Sequence, residues 1–157
     1  MNPPAKLVLR NPAEGRTIGI LGDAYRFLIT GEESGGQYTI LEALVPPGGG
    51  PPPHLHHNEN ETFYVIEGEV TFQIGDDRTT VGAGTFVNLP IGQPHAFKNE
   101  SERNVRMIMT LSPAGFEHFF TEVGVEFEGE LPPPPSEEEI QRLVAAAPKY
   151  GIEFVGP

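Results

Sequence analysis

Two histidines one residue apart, His54 and His56, are followed by a glutamate at Glu61, and another histidine, His95, stands just after the Pro/Gly-rich stretch Pro90-Ile-Gly-Gln-Pro94. In an extended segment, residues two apart point to the same side. His54 and His56 therefore present both imidazoles to one face, about 7 Å apart along the backbone, which suits two adjacent positions on one ion. Glu61 shares a face with Phe63 and Val65 by period two. If those two face a core, the carboxylate is buried with them and needs a partner. His95, placed where a new strand should begin, is the natural third imidazole. Three nitrogens and one oxygen suit one divalent transition metal per chain (Fe, Mn, Co, Ni or Zn) and leave positions free for an ion that takes five or six ligands. Singly, each histidine reads as an ordinary surface or hydrogen-bonded residue; jointly they read as a metal site. By the same alternation His57 points outward, and Glu59 is read as a loop residue, not a ligand. His118, beside Glu117 on an amphipathic stretch, is read as a surface residue.

The rest of the chain bounds what such a site can serve. At 157 residues with 38% hydrophobic content it fits one domain with a real core. A formal net charge of −12 argues against nucleic-acid phosphates or an anionic membrane as partner, and is easier to reconcile with a small neutral or cationic ligand. Cysteine is absent, which excludes disulfides, thiolate metal sites and cysteine nucleophiles. The opening residues MNPPAKLVLRNP lack the apolar core of a signal peptide, and no apolar run approaches the roughly 18 residues of a membrane span. The expectation is a cytoplasmic protein with no nucleic-acid or membrane partner.

The elements that must position the site are short runs rich in β-branched and aromatic residues, punctuated by glycine and proline: Tyr25–Thr30, Gln37–Val45, Thr62–Ile66, Val70–Ile74, Thr85–Val87 and Val105–Leu111. This pattern predicts an all-β sandwich or barrel. Val105, Met107, Met109 and Leu111 alternate as on a half-buried strand. Phe63-Tyr-Val-Ile66 is apolar at every position, so cover on both faces is expected, and a second subunit of a homodimer could supply it. Phe116, Phe119, Phe120 and Val123 have helical spacing, which predicts a packing helix near 113–123 with Ser112 as its N-cap. The prolines Pro132–Pro135 form a stiff connector. Ser136-Glu-Glu-Glu139 is a capping box that opens a helix through about Ala147, with Ile140, Leu143, Val144 and Ala147 on its apolar face. Residues 1–131 thus read as a barrel, and 132–157 as a Pro-rich connector with a C-terminal helical extension.

The two histidine segments carry a family resemblance. Gly48, His54, His56, Glu61 and Gly68 are in register with the first cupin motif, G-x5-H-x-H-x3,4-E-x6-G. Gly84, Pro90, Gly92, His95 and Asn99 are in register with the second, G-x5-P-x-G-x2-H-x3-N. Every fixed position is filled, over about a third of the chain. The resemblance implies a jelly-roll β-barrel with short C-terminal helices, in which His54, His56, Glu61 and His95 converge on a metal. It also implies turn roles for Gly68, Gly84 and Gly92, and a turn or strand-end role for Asn99.

Fold alone does not fix activity, since cupins include dioxygenases, decarboxylases, isomerases and non-catalytic binders. The runs LVPPGGGPPPHLHHNENETFYVIEGEV and PIGQPHAF look most like quercetin 2,3-dioxygenase-type proteins. That resemblance implies oxidative cleavage, with O2, of a flavonol or related enolic, aromatic small molecule, and a catalytic role for Glu61 as ligand and base. A non-catalytic metal- or ligand-binding cupin, and a metal-dependent isomerase or decarboxylase, are the alternatives. Tyr38, Phe63, Val65, Phe72, Phe97, Met107 and Met109 are candidates to line a pocket beside the metal, though core packing explains them equally well.

Overall fold

The structure is a computed structural model that describes residues 1–156. Its eleven strands form two antiparallel sheets. The larger contains β1 (Thr17–Ile20), β2 (Asp23–Ile29), β3 (Thr39–Val45), β5 (Asn60–Glu67), β8 (Phe86–Leu89) and β10 (Val105–Ser112), in the order β1-β2-β3-β10-β5-β8. The smaller contains β4 (His54–His56), β6 (Val70–Ile74), β7 (Asp77–Val81), β9 (His95–Lys98) and β11 (Ile152–Phe154), in the order β11-β4-β9-β6-β7. Two sheets facing each other across one core make the expected jelly roll.

Alternation decides which side chains fill that core. Val105, Met107, Met109 and Leu111 of β10 all point inward and are buried. Phe63, Phe72 and Phe97 meet there with ring centroids 5.3–6.1 Å apart. The turn glycines Gly68, Gly84 and Gly92 take φ of +88°, +89° and +82°, a region that a side chain would strain. Gly50 answers a different need, since a Cβ there would lie 2.0 Å from the carbonyl oxygen of Phe97.

Several expectations change. The helix predicted near 113–123 begins later, as α1 (Glu117–Val123), because Ser112 ends β10 and donates its hydroxyl to the Gln37 carbonyl instead of capping. No side chain caps α1, and Glu117 at its start instead ties the helix to the barrel, accepting from Gly115 N, Gly31 N and Thr39 Oγ1. In α2 (Glu137–Ala146), Ser136 caps by accepting from Glu139 N, but Glu139 does not complete the box. Its carboxylate accepts from Leu21 N at 2.7 Å and so ties the helix to the barrel. Of the expected apolar face, Leu143 and Ala147 are buried while Ile140 and Val144 stay exposed. Within residues 132–157, β11 pairs with β4 and extends the smaller sheet. On β5, Tyr64 and Ile66 point away from the core and are exposed, with Phe86 of β8 beside Tyr64. No element among the described residues covers them.

Candidate metal centre

Each ligand candidate is placed by strand geometry. His54 and His56 are the first and last residues of β4 and face inward together, while Leu55 between them does not. His95, the first residue of β9, is the partner of His54 in the ladder. Glu61 comes from the opposite sheet, on β5, on the inward side with Phe63 and Val65. All four are buried, and one ligand atom from each lies within 4.8 Å of all the others.

The hydrogen bonds behind the rings orient them. His54 Nδ1 lies 3.0 Å from the Pro52 carbonyl, His56 Nδ1 2.8 Å from Glu59 Oε1, and His95 Nδ1 2.9 Å from the Gln93 carbonyl. Each of these oxygens can only accept, so each Nδ1 carries a hydrogen, and in the neutral ring the lone pair is left on Nε2. The Nε2 atoms of His56 and His95 stand 3.1 and 2.9 Å from the same atom, Glu61 Oε2. His56 Nε2 has no hydrogen-bond partner of good geometry among the described residues. Lone pairs crowded onto a buried carboxylate oxygen require a positive charge between them, either protons or a cation.

The titration behaviour reports the same demand. Burial would lower the His56 pKa, but the Glu59 and Glu61 carboxylates at its two nitrogens outweigh it and raise the value to about 9. Burial would raise Glu61, yet hydrogen bonding and charge from His56 and His95 hold it well below the usual carboxylate range. His54, buried and beside two other imidazoles, is lowered to about 4. The arrangement suits a single divalent ion, with three imidazole nitrogens and one carboxylate oxygen as ligands and three oriented Nδ1–H groups behind them.

A cavity of about 50 Å³ adjoins the cluster, lined by His54, His56 and Glu61. Of the pocket candidates, Phe97 and Met109 line it. Phe63, Val65, Phe72 and Met107 do not: they are buried elsewhere in the core, packed against one another and their neighbours. Tyr38 also lies outside. Inward residues on β3 are the odd ones, Thr39, Leu41, Ala43 and Val45, and Tyr38 is out of phase with them and partly exposed. The walls come instead from residues assigned no such role in the sequence: Tyr25, the Phe116, Phe119 and Phe120 stripe, Leu143, Ile152 and Phe154. Phe116 packs on the His56 ring at 5.1 Å.

Near the site, the sequence reading misses the role of Glu59, which it takes as a plain loop residue, and misses Asp23 altogether. Glu59 is buried behind His56, and its position three residues on, in the link between β4 and β5, was the available signal. Asp23 is buried with Oδ2 accepting from the Tyr25 hydroxyl at 3.3 Å. Its burial raises the pKa to about 8 against the smaller pull of that hydroxyl and the Gly50 amide. His57, in contrast, pairs at the surface with Glu153.

Comparison with known proteins agrees with this geometry. A cupin domain family model matches residues 41–111, which include all four candidate ligands. The chain is 28% identical over 109 residues to a quercetin 2,3-dioxygenase of Bacillus subtilis, covering 69% of this chain and 32% of that protein. It is 27% identical over 124 residues to a quercetin 2,3-dioxygenase of Aspergillus japonicus, covering 74% and 35%. The chain thus spans about a third of the length of these curated relatives. Among solved structures, a predicted oxalate decarboxylase from Thermotoga maritima superposes with a TM-score of 0.61 at 19% identity, covering 68% of this chain and 99% of that one. The two-sheet barrel and the inward His/Glu cluster accord with the cupin domain match over residues 41–111, and the chain resembles the quercetinase-type proteins.

Proposed function

We propose that this cupin is a metal-dependent dioxygenase that oxidatively cleaves an enolic small molecule, with His54, His56, Glu61 and His95 as ligands to one divalent transition metal. The convergence of the His56 and His95 Nε2 atoms on Glu61 Oε2, with each Nδ1 held from behind, carries the metal site, and the similarity to two quercetin 2,3-dioxygenases supports the oxidative reading. A bound metal supplies Lewis acidity that favours an enolate over its enol, and open positions for a substrate oxygen.

The chain's own residues do the rest. Glu61, next to any hydroxyl held at the cluster, is placed to accept its proton, which meets the geometric requirement for a base. Phe97, Met109, Phe116 and Phe120 give the cavity apolar walls that exclude water and suit an apolar ring or alkene. No lysine or arginine is among the lining residues, which disfavours phosphorylated or dianionic substrates. Arg26 and Arg106 are instead paired with Glu42, and Arg78 with Glu100.

The test is oxygen uptake by protein reconstituted separately with iron, manganese, cobalt, nickel or zinc, against a panel of enols that includes quercetin. Metal-dependent uptake that disappears in His56→Ala supports the dioxygenase. Stoichiometric metal with no uptake for any enol refutes it and favours the isomerase, decarboxylase or ligand-binding alternatives.

A further inference from the structure

The C-terminal segment forms one side of the candidate site. β11 lies directly on the strand that carries two of the candidate ligands, in the register Ile152↔His56, Glu153↔Leu55 and Phe154↔His54. Ile152 and Phe154 line the cavity, with the Phe154 ring centroid 6.4 Å from that of His54. Leu143 of α2 and Leu21, whose amide is held by Glu139, complete this side.

The segment is fastened at several points besides its ladder. Val155 N donates to the Pro53 carbonyl at 3.0 Å, His57 N donates to Gly151 O at 2.8 Å, and His57 Nε2 pairs with Glu153 at 2.7 Å. Asn58 Nδ2 donates to Tyr150 O at 3.2 Å. Such bonds on both flanks of β4 describe a fixed wall. The space it leaves is small: about 50 Å³ holds roughly four water molecules, whereas pockets for drug-sized ligands run to about 300–1,000 Å³.

From this geometry we infer that the segment from Ser136 to Val155 is the specificity-determining wall of the site, with Phe154 and Leu143 as the side chains that limit ligand size. It admits a compact chelating enol or enolate of a few non-hydrogen atoms and rejects a multi-ring flavonol. The inference rests on the metal-site reading and narrows its substrate class.

Two hydroxamate chelators of different size test it on the cobalt(II)-loaded protein, read by the visible absorption of the cobalt. Acetohydroxamate should bind the wild type at least about tenfold more tightly than 2-naphthohydroxamate. Phe154→Ala and Leu143→Ala should each tighten the naphthyl compound by about tenfold and leave acetohydroxamate within about threefold. Ile140→Ala, on the exposed side of the same helix, should change neither. A wild type that binds both compounds equally, or two wall variants that leave their ratio unchanged, would overturn the inference. A second readout needs no metal. Titration of the metal-free protein with indole, followed by the methyl NMR signal of Met109, should show binding in Phe154→Ala and none in the wild type. Equal indole binding by both, or by neither, contradicts the wall. Failure to load cobalt in a protein that passes the indole test contradicts the metal-site reading alone.

Discussion

Glu59 holds the Nδ1–H of His56 from a buried position, so it fixes the ring whose Nε2 faces Glu61. Carboxylates behind metal-bound imidazoles raise ligand basicity and set ring orientation. Glu59→Ala is therefore expected to weaken metal binding by about 10–100-fold with all four ligands intact, as measured by competition with a chromophoric chelator. An unchanged affinity would reduce Glu59 to a packing residue. Asp23 makes a prediction about pH. Its ordinary pKa of 3.8 rises to about 8 in the folded chain, so the folded state holds a proton there that the unfolded state has released. Its contribution to stability is full below pH 4 and falls as pH rises through about 8, by up to about 1.4 kcal/mol per pH unit. Asp23→Asn removes that slope. The stability of the variant relative to wild type, from urea unfolding, should improve steadily between pH 5 and pH 8, and a pH-independent difference would contradict the buried-acid account.

Elements bring these residues together, and a single asparagine secures one junction. Asn99 Nδ2 donates to the carbonyls of Val45 and Arg103, and its Oδ1 accepts from Ser101 N and Oγ. Its backbone bonds to Gly48 and Gly49 at the head of the ligand loop. This is the turn and strand-end role expected of it. Asn99→Ala leaves several buried groups unpaired and should cost about 2–4 kcal/mol in urea unfolding, whereas a loss below about 0.5 kcal/mol would show that water replaces these bonds. At this scale the sequence was legible wherever periodicity is strong: the alternation of β10, the inward His54/His56 pair and the phase of Glu61 all appear in the structure. It was silent on β7, Asp77-Arg-Thr-Thr-Val81, whose exposed polar residues carry no alternation, and on β11, three residues that are a strand only because β4 offers an edge. The start of α1 was misplaced because Ser112 can cap or end a strand, and only its partner Gln37 decides which.

For the whole molecule, spacing identified which side chains meet but not what encloses them. The cavity wall draws on Tyr25, α1, α2 and β11, which are separated along the chain by up to about 130 residues, and no local pattern reports that contact. The apolar run Phe63–Ile66 shows a similar limit, since apolarity at every position signals two faces without naming what covers the outer one. No helix among the described residues is long and apolar enough to cross a membrane. The metal reading requires that four side chains from two opposed sheets hold one ion. The most direct measurement is the metal content of the purified chain after loading and desalting, by elemental analysis, for the wild type and for His56→Ala, His95→Ala and Glu61→Ala. One equivalent of a divalent transition metal per wild-type chain is expected, and its loss in all three variants, each checked for folding by circular dichroism. A folded wild type with no stoichiometric metal, or folded variants that retain a full equivalent, would contradict it.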